Sequence, residues 1–133
     1  MDEITVHIEA EINPTESEEK VKKAIENLFG IVETKVQPIH KGNILTAEAR
    51  NREALTKLYN ILRREHIRAA ARTALLEGLD RKSISFCLNK QVAYSGHVSF
   101  AKEVAESPLG PIKVKIEYER PREIIDWLTS ATP

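Results

Sequence analysis

Ile4, Val6, Ile8, Ala10 and Ile12 alternate with Thr5, His7, Glu9 and Glu11 at the start of the chain. A period of two predicts a half-buried strand with His7 on its polar face. Asn13-Pro14 ends that strand. Thr15 or Ser17 then stands where a helix would be capped, and Thr15 with Glu18 fits a capping box. Glu16, Glu18 and Glu19 follow where the helix dipole favours negative charge. Val21, Ala24, Ile25 and Leu28 recur at helical spacing, and Gly30 supplies a stop. Residues 31–39 are β-branched and predict a strand, which Pro38 confines to an edge or an end. Lys41-Gly42-Asn43 turns the chain into 44–50, where Leu45, Ala47 and Ala49 alternate, so the pair reads as a hairpin.

Asn51 is placed to cap a second helix carrying Leu55, Leu58, Tyr59 and Leu62 on one face. Beyond Leu62 the stripe slips, because Glu65 and His66 occupy positions that should be apolar. Ile67, Ala70, Ala71, Ala74 and Leu75 start a new stripe on a different side. The pattern predicts two consecutive helical segments, roughly 51–64 and 66–78, broken near Arg64–His66 and closed by Gly78. Ile84, Phe86 and Leu88 alternate with Ser83, Ser85 and Cys87 in another strand. Residues 89–94 have no clean period, Gly96 allows a turn or bulge, and a strand is expected over 97–100. Residues 106–111, ESPLGP, form a turn-rich connector. Ile112, Val114, Ile116 and Tyr118 mark a last strand, and Pro121 fits the first position of a final helix with Ile124, Ile125 and Leu128 inward and Trp127 at its flank.

Strands and helices in this order, without a repeat or a linker, predict one α+β domain of 133 residues: a mainly antiparallel sheet with helices packed on it. An apolar fraction of 41% with 30% charged residues is that of a soluble globular chain. No apolar run approaches the roughly 20 residues of a membrane span, and the acidic N-terminus lacks the features of a signal peptide. A single cysteine, Cys87, cannot form an internal disulfide, which fits a reducing, cytoplasmic setting.

Net charge is zero, but its distribution is uneven. Residues 1–50 carry 6 Lys and Arg against 10 Asp and Glu, residues 51–100 carry 9 against 4, and residues 101–133 carry 5 against 6. A localised basic section steers polyanions whatever the net charge. Arg64, Arg68 and Arg72 recur every fourth residue with Arg63 beside them, and arginine offers a planar fork that matches phosphate oxygens. Arg81, Lys82 and Lys90 extend the set, while Tyr94 and His97 are candidates for contact with an unstacked base. The alternatives are a solvated helix face for the arginines, a half-buried aromatic for Tyr94, and turn-fixing side chains for Asn89 and Gln91. Nothing names a reaction. His7, His40, His66 and His97 share no metal-ligand spacing, no phosphate-cradling glycine motif is present, and Glu65-His66 are adjacent helical residues that do not face each other. No catalytic residue, cofactor or metal is expected.

NPTESEEKVKKAIENLF, ILRREHIRAAARTALLEGL, FCLNKQVAYSGHVSF, ESPLGPI and the terminal IIDWL resemble, in order and over nearly the whole chain, a small uncharacterised archaeal family. Its members are labelled RNA-binding protein or predicted exosome subunit. The resemblance implies a fold similar to that of large-subunit ribosomal protein five, and it brings no catalytic residues. The expectation is a non-catalytic RNA-binding protein of RNA processing or ribosome-related assembly, its phosphate contacts made by Arg63, Arg64, Arg68, Arg72, Arg81, Lys82 and Lys90. The alternative is a structural subunit, in a protein complex or a homodimer, that binds its partner through a strand edge or helix face.

Overall fold

The alternation at the start of the chain belongs to the inner strand of a six-stranded antiparallel sheet. The computed structural model describes residues 3–30, 32–101 and 110–130. In chain order the elements are β1 (Thr5–Ile12), α1 (Glu18–Phe29), β2 (Thr34–Ile39), β3 (Gly42–Ala49), α2 (Glu53–Arg64), α3 (Arg68–Glu77), β4 (Ser83–Asn89), α4 (Lys90–Tyr94), β5 (Phe100–Ala101), β6 (Pro111–Glu117) and α5 (Pro121–Leu128). The strands lie in the order β2-β3-β1-β6-β4-β5.

Register explains why one face is apolar. Ala47, Ile8, Val114 and Phe86 stand side by side across four strands, flanked by the rows Ala49–Val6–Ile116–Ile84 and Leu45–Ala10–Ile112–Leu88. These rows join Val21, Ile25 and Leu28 of α1, Leu55, Leu58 and Leu62 of α2, and Ile124, Ile125 and Leu128 of α5 in one core. Burying each such aliphatic side chain contributes about 1.5–3 kcal/mol. The other face is wet: Glu48, His7, Lys115 and Ser85 form one row and Thr46, Glu9, Lys113 and Cys87 the next. A one-residue slip would exchange the two faces, so burial holds the register.

The helix boundaries follow local chemistry. Ser17, and not Thr15, caps α1, its Oγ accepting from the Lys20 N–H at 3.4 Å. Asn51 Oδ1 accepts from the Ala54 N–H at 3.2 Å at the start of α2. The break between α2 and α3 is a Schellman turn: the His66 N–H bonds the Arg63 carbonyl, the Ile67 N–H bonds the Leu62 carbonyl, and His66 sits at φ 56. Pro121 opens α5 as expected.

Both sheet edges are protected. β2 carries Pro38, which cannot donate to a further strand. Along β4, β5 pairs with Cys87 and Leu88, while a bridge from Leu79 to Ile84 and a bond from the Ser85 N–H to the Gly78 carbonyl close the remainder. A Cβ at Gly78 would collide with the Ser85 carbonyl oxygen, so the approach requires glycine.

Two expectations are corrected. The aperiodic residues 89–94 form the short helix α4, capped by Asn89 Oδ1 on the Val92 N–H. The strand expected over 97–100 is reduced to Phe100–Ala101. The connector expected over 106–111 falls mostly outside the described residues.

Candidate nucleic-acid interface

Lys90 does not reach a phosphate. Its side chain is 1% exposed, and its ammonium donates to the Glu11 carbonyl at 2.6 Å and to Glu16 Oε1 at 3.0 Å. The Glu16 carboxylate, 6% exposed, also accepts from the Asn13 backbone and side-chain N–H groups and from the Tyr94 hydroxyl at 2.8 Å. Burial pushes this carboxyl up, but the donors from Asn13, Tyr94 and Lys90 outweigh it and hold its pKa below the ordinary value. The Tyr94 phenol is raised by burial and by its bond to the carboxylate. From α1, Asn27 Nδ2 donates to the Ala93 and Tyr94 carbonyls. Lys90 and Tyr94 are therefore clamps that fasten α4 to β1 and the turn before α1. The expected phosphate contact of Lys90 is corrected on that ground, while Tyr94 keeps a half-buried ring with its hydroxyl committed to Glu16.

Arg64 and His97 meet in a different place. Arg64, 63% exposed, donates to the Gly96 carbonyl and Glu65, and His97 Nδ1 lies 2.5 Å from Glu65 Oε2. Slight burial raises the Glu65 carboxyl, whereas His97, the Val98 N–H and Arg64 together bring its pKa below the ordinary value.

Arg63, Arg68 and Arg72 converge on the C-terminal end of α5. Arg63 donates to the carbonyls of Tyr59, Trp127, Leu128 and Ser130 and to Ser130 Oγ. Arg68 Nη1 reaches the Ser130 carbonyl at 2.7 Å. Arg72 Nη1 pairs with Asp126 at 2.9 Å and touches Thr129 Oγ1. Cations belong at a helix C-terminus, where the carbonyls lack intrahelical partners. Because the carbonyl and hydroxyl acceptors of Arg63 and Arg68 are uncharged, those bonds use donors without cancelling the charge, whereas Asp126 offsets that of Arg72. At the other end of α5, the Tyr118 N–H bonds the Lys82 carbonyl, which brings exposed Arg81 and Lys82 beside the end of β6 that leads into α5. Basic side chains therefore stand at both ends of α5, with Arg120 paired to Glu123 and Arg122 near Asp126, while Arg64 and His97 stand apart.

Four side chains stack on the α2 side of α5. Arg52 lies 5.2 Å from the centre of the Trp127 ring, Trp127 stacks on Tyr59 at 4.8 Å and 20°, and Arg63 covers Tyr59 at 3.4 Å. The sequence reading missed this group. Its signal was the spacing of Arg52, Tyr59 and Arg63, seven and four residues apart, which puts them on one helix face.

The open sheet face has a different character. It lines a hollow of about 1490 Å³ with His7, Glu9, Thr46, Ser85, Cys87, Lys113 and Lys115, among others. His7 there lies between the Glu48 and Glu117 carboxylates. The open-face rows of β1, β3, β4 and β6 contain no Phe, Tyr or Trp, the stacking residues that sheet-based RNA readers present. Among the described residues, no three His, Cys, Asp or Glu side chains gather to hold a metal, and no helix is long and apolar enough to cross a membrane.

Residues 5–118 match a protein family described as RNA binding. A UPF0201 protein of Sulfurisphaera tokodaii is 46% identical over 125 residues, covering 94% of this chain and 86% of that one. One of Sulfolobus acidocaldarius is 41% identical over 127 residues, covering 96% and 88%. The chain belongs to this archaeal UPF0201 family. The crystal structure of a UPF0201 protein from Methanococcus jannaschii superimposes with a TM-score of 0.84 at 32% identity, covering 94% of this chain and 98% of that one. The family match runs from β1 through β6 and includes Arg63, Arg64, Arg68, Arg72, Arg81 and Lys82.

Proposed function

We propose that this UPF0201 protein binds RNA without catalysing a reaction on it, in RNA processing or ribosome-related assembly. The observation that carries this reading is the convergence of Arg63, Arg68 and Arg72 on one end of α5, where uncharged acceptors leave the charge of Arg63 and Arg68 in place and Asp126 pairs with Arg72. The family's description as RNA binding supports it. Arg68, Arg72, Arg81 and Lys82 contact phosphates, Arg63 mainly holds the surface together, and the separate Arg64–His97 site extends contact toward α4.

Salt titration of a labelled single-stranded RNA and a structured RNA tests this. Three to five phosphate contacts give a log–log slope of about −2 to −4, at roughly −0.7 per contact for single strands. The exposed pair Arg81→Glu/Lys82→Glu should make the slope shallower without unfolding the protein, because solvent-facing changes usually cost within about 0.5 kcal/mol. No binding at low salt, or one shallow slope for both proteins, overturns the reading. The hollow open face favours a second reading, a docking surface for a protein partner or a second copy. Sedimentation would detect self-association.

A further inference from the structure

We propose that the outer face of Trp127 is a stacking site for a single unpaired base, opened by displacement of Arg52. The inference rests on the RNA-binding reading and names which part of an RNA this region takes.

The two ends of the Arg52–Trp127–Tyr59–Arg63 stack differ. At the inner end, Arg63 lies 3.4 Å from the Tyr59 ring centre and its guanidinium is tied to carbonyls of both α2 and α5. Nothing can enter there without dismantling the helix contact. At the outer end, Arg52 is exposed and 5.2 Å from the Trp127 ring centre. Among the described residues its guanidinium makes no hydrogen bond or ion pair, and only its carbonyl is engaged, by the Leu55 N–H. Stacked bases are spaced about 3.4 Å apart along a strand, so a base held between ring and guanidinium needs about 6.8 Å. Arg52, 5.2 Å from the ring centre, has to retreat to admit it, a rotamer change for a side chain that makes no hydrogen bond or ion pair. A stack serving only to join α2 to α5 would gain nothing from a loose outer cation.

The rest of the site is already in place. Tyr59 backs the indole and fixes its plane, so stacking a base orders no additional ring. Asp126, next to Trp127 in α5, is paired with Arg72 and so presents less repulsion to an approaching strand. Arg68 and Arg72 lie at the same end of the helix to hold flanking phosphates. Each base has a π-face, so the site accepts any of them, with Arg52 adding cation–π contact on the far side.

Trp127 is the single tryptophan of the chain, so its emission reports on this site alone. The experiment titrates the full chain at low salt with a single-stranded oligoribonucleotide and with an abasic oligomer of equal length. Filter binding is measured in parallel. The expected result is strong quenching by the oligoribonucleotide and little by the abasic strand. Trp127→Ala should weaken filter binding about 5- to 140-fold, the range equivalent to 1–3 kcal/mol per stacked base. Trp127→Phe, which retains a ring, should recover most of that affinity. Arg52→Ala, which leaves the Tyr59–Trp127 stack and the Arg63 bonds to α5 in place, should lower affinity while quenching persists. RNA binding with unchanged Trp127 emission, or equal affinity for the abasic strand, overturns the stacking site and leaves RNA binding standing. Absence of filter binding to either strand overturns both.

Discussion

Residues that look alike in sequence divide by what surrounds them. Lys90 and Arg81 are both cations of the basic central section, yet one is buried against Glu16 and the other is exposed. Removing one partner of a buried pair leaves the other charge uncompensated, which costs 3–5 kcal/mol in typical cases. Asn13 and Tyr94 would still satisfy part of Glu16, so Lys90→Met is expected to lose about 3 kcal/mol, the lower end of that range. Urea unfolding measures this, and RNA affinity of the folded variant should be unchanged. A loss below about 1 kcal/mol would mean that Lys90 does not anchor α4. The same network sets a pH dependence. Glu16 and Glu65 both have folded-state pKa values below the ordinary 4.5. Their stabilisation is complete above the unfolded value and is lost as pH falls through the lowered folded value. Stability should therefore decline from about pH 5 downward, and Glu16→Gln should flatten the decline. An unchanged acid profile in that variant would remove Glu16 from the account.

At the scale of elements, what was legible depended on whether the determining contacts were local. β1, β4 and β6 could be read because one face is core and the other water, which imprints a period of two. The break between α2 and α3 could be read from the slip at Glu65–His66, and the turn there is closed by bonds spanning only a few residues. α4 could not be read, since its five residues are held by Asn27 from α1 and by the bond from Lys90 to Glu11, 79 residues away in sequence. The arginine stripe was visible as charge, but its target was not. The acceptors of Arg68 and Arg72 lie on α5 and the residues just after it, more than 50 positions downstream, and that of Arg64 is the Gly96 carbonyl. The Trp127 site had the same obstacle: one helix supplies two cations and a tyrosine, and a distant helix supplies the indole.

Across the whole molecule, connectivity prevents the parts from standing alone. β1 comes first in the chain but lies inside the sheet, paired with β3 on one side and with β6 on the other. Any cut between β3 and β6 would leave β1 with one bare flank and its apolar row only partly covered. α5, which carries the indole of the stack and the target of Arg63, Arg68 and Arg72, joins the same core through Ile124, Ile125 and Leu128. Unfolding should therefore be one cooperative transition, as expected for a single domain of this size. Trp127 emission reports α5, while far-UV circular dichroism reports the elements as a whole, so in urea the two curves should coincide. If fluorescence changed at distinctly lower urea than dichroism, α5 would be a separable layer and the basic surface built on it would form late. RNA supplies an independent check, because a ligand that binds only the folded state stabilises it by RT ln(1 + [L]/Kd). Saturating RNA should move both curves together if α5 and the sheet form one unit, and only the fluorescence curve if they do not.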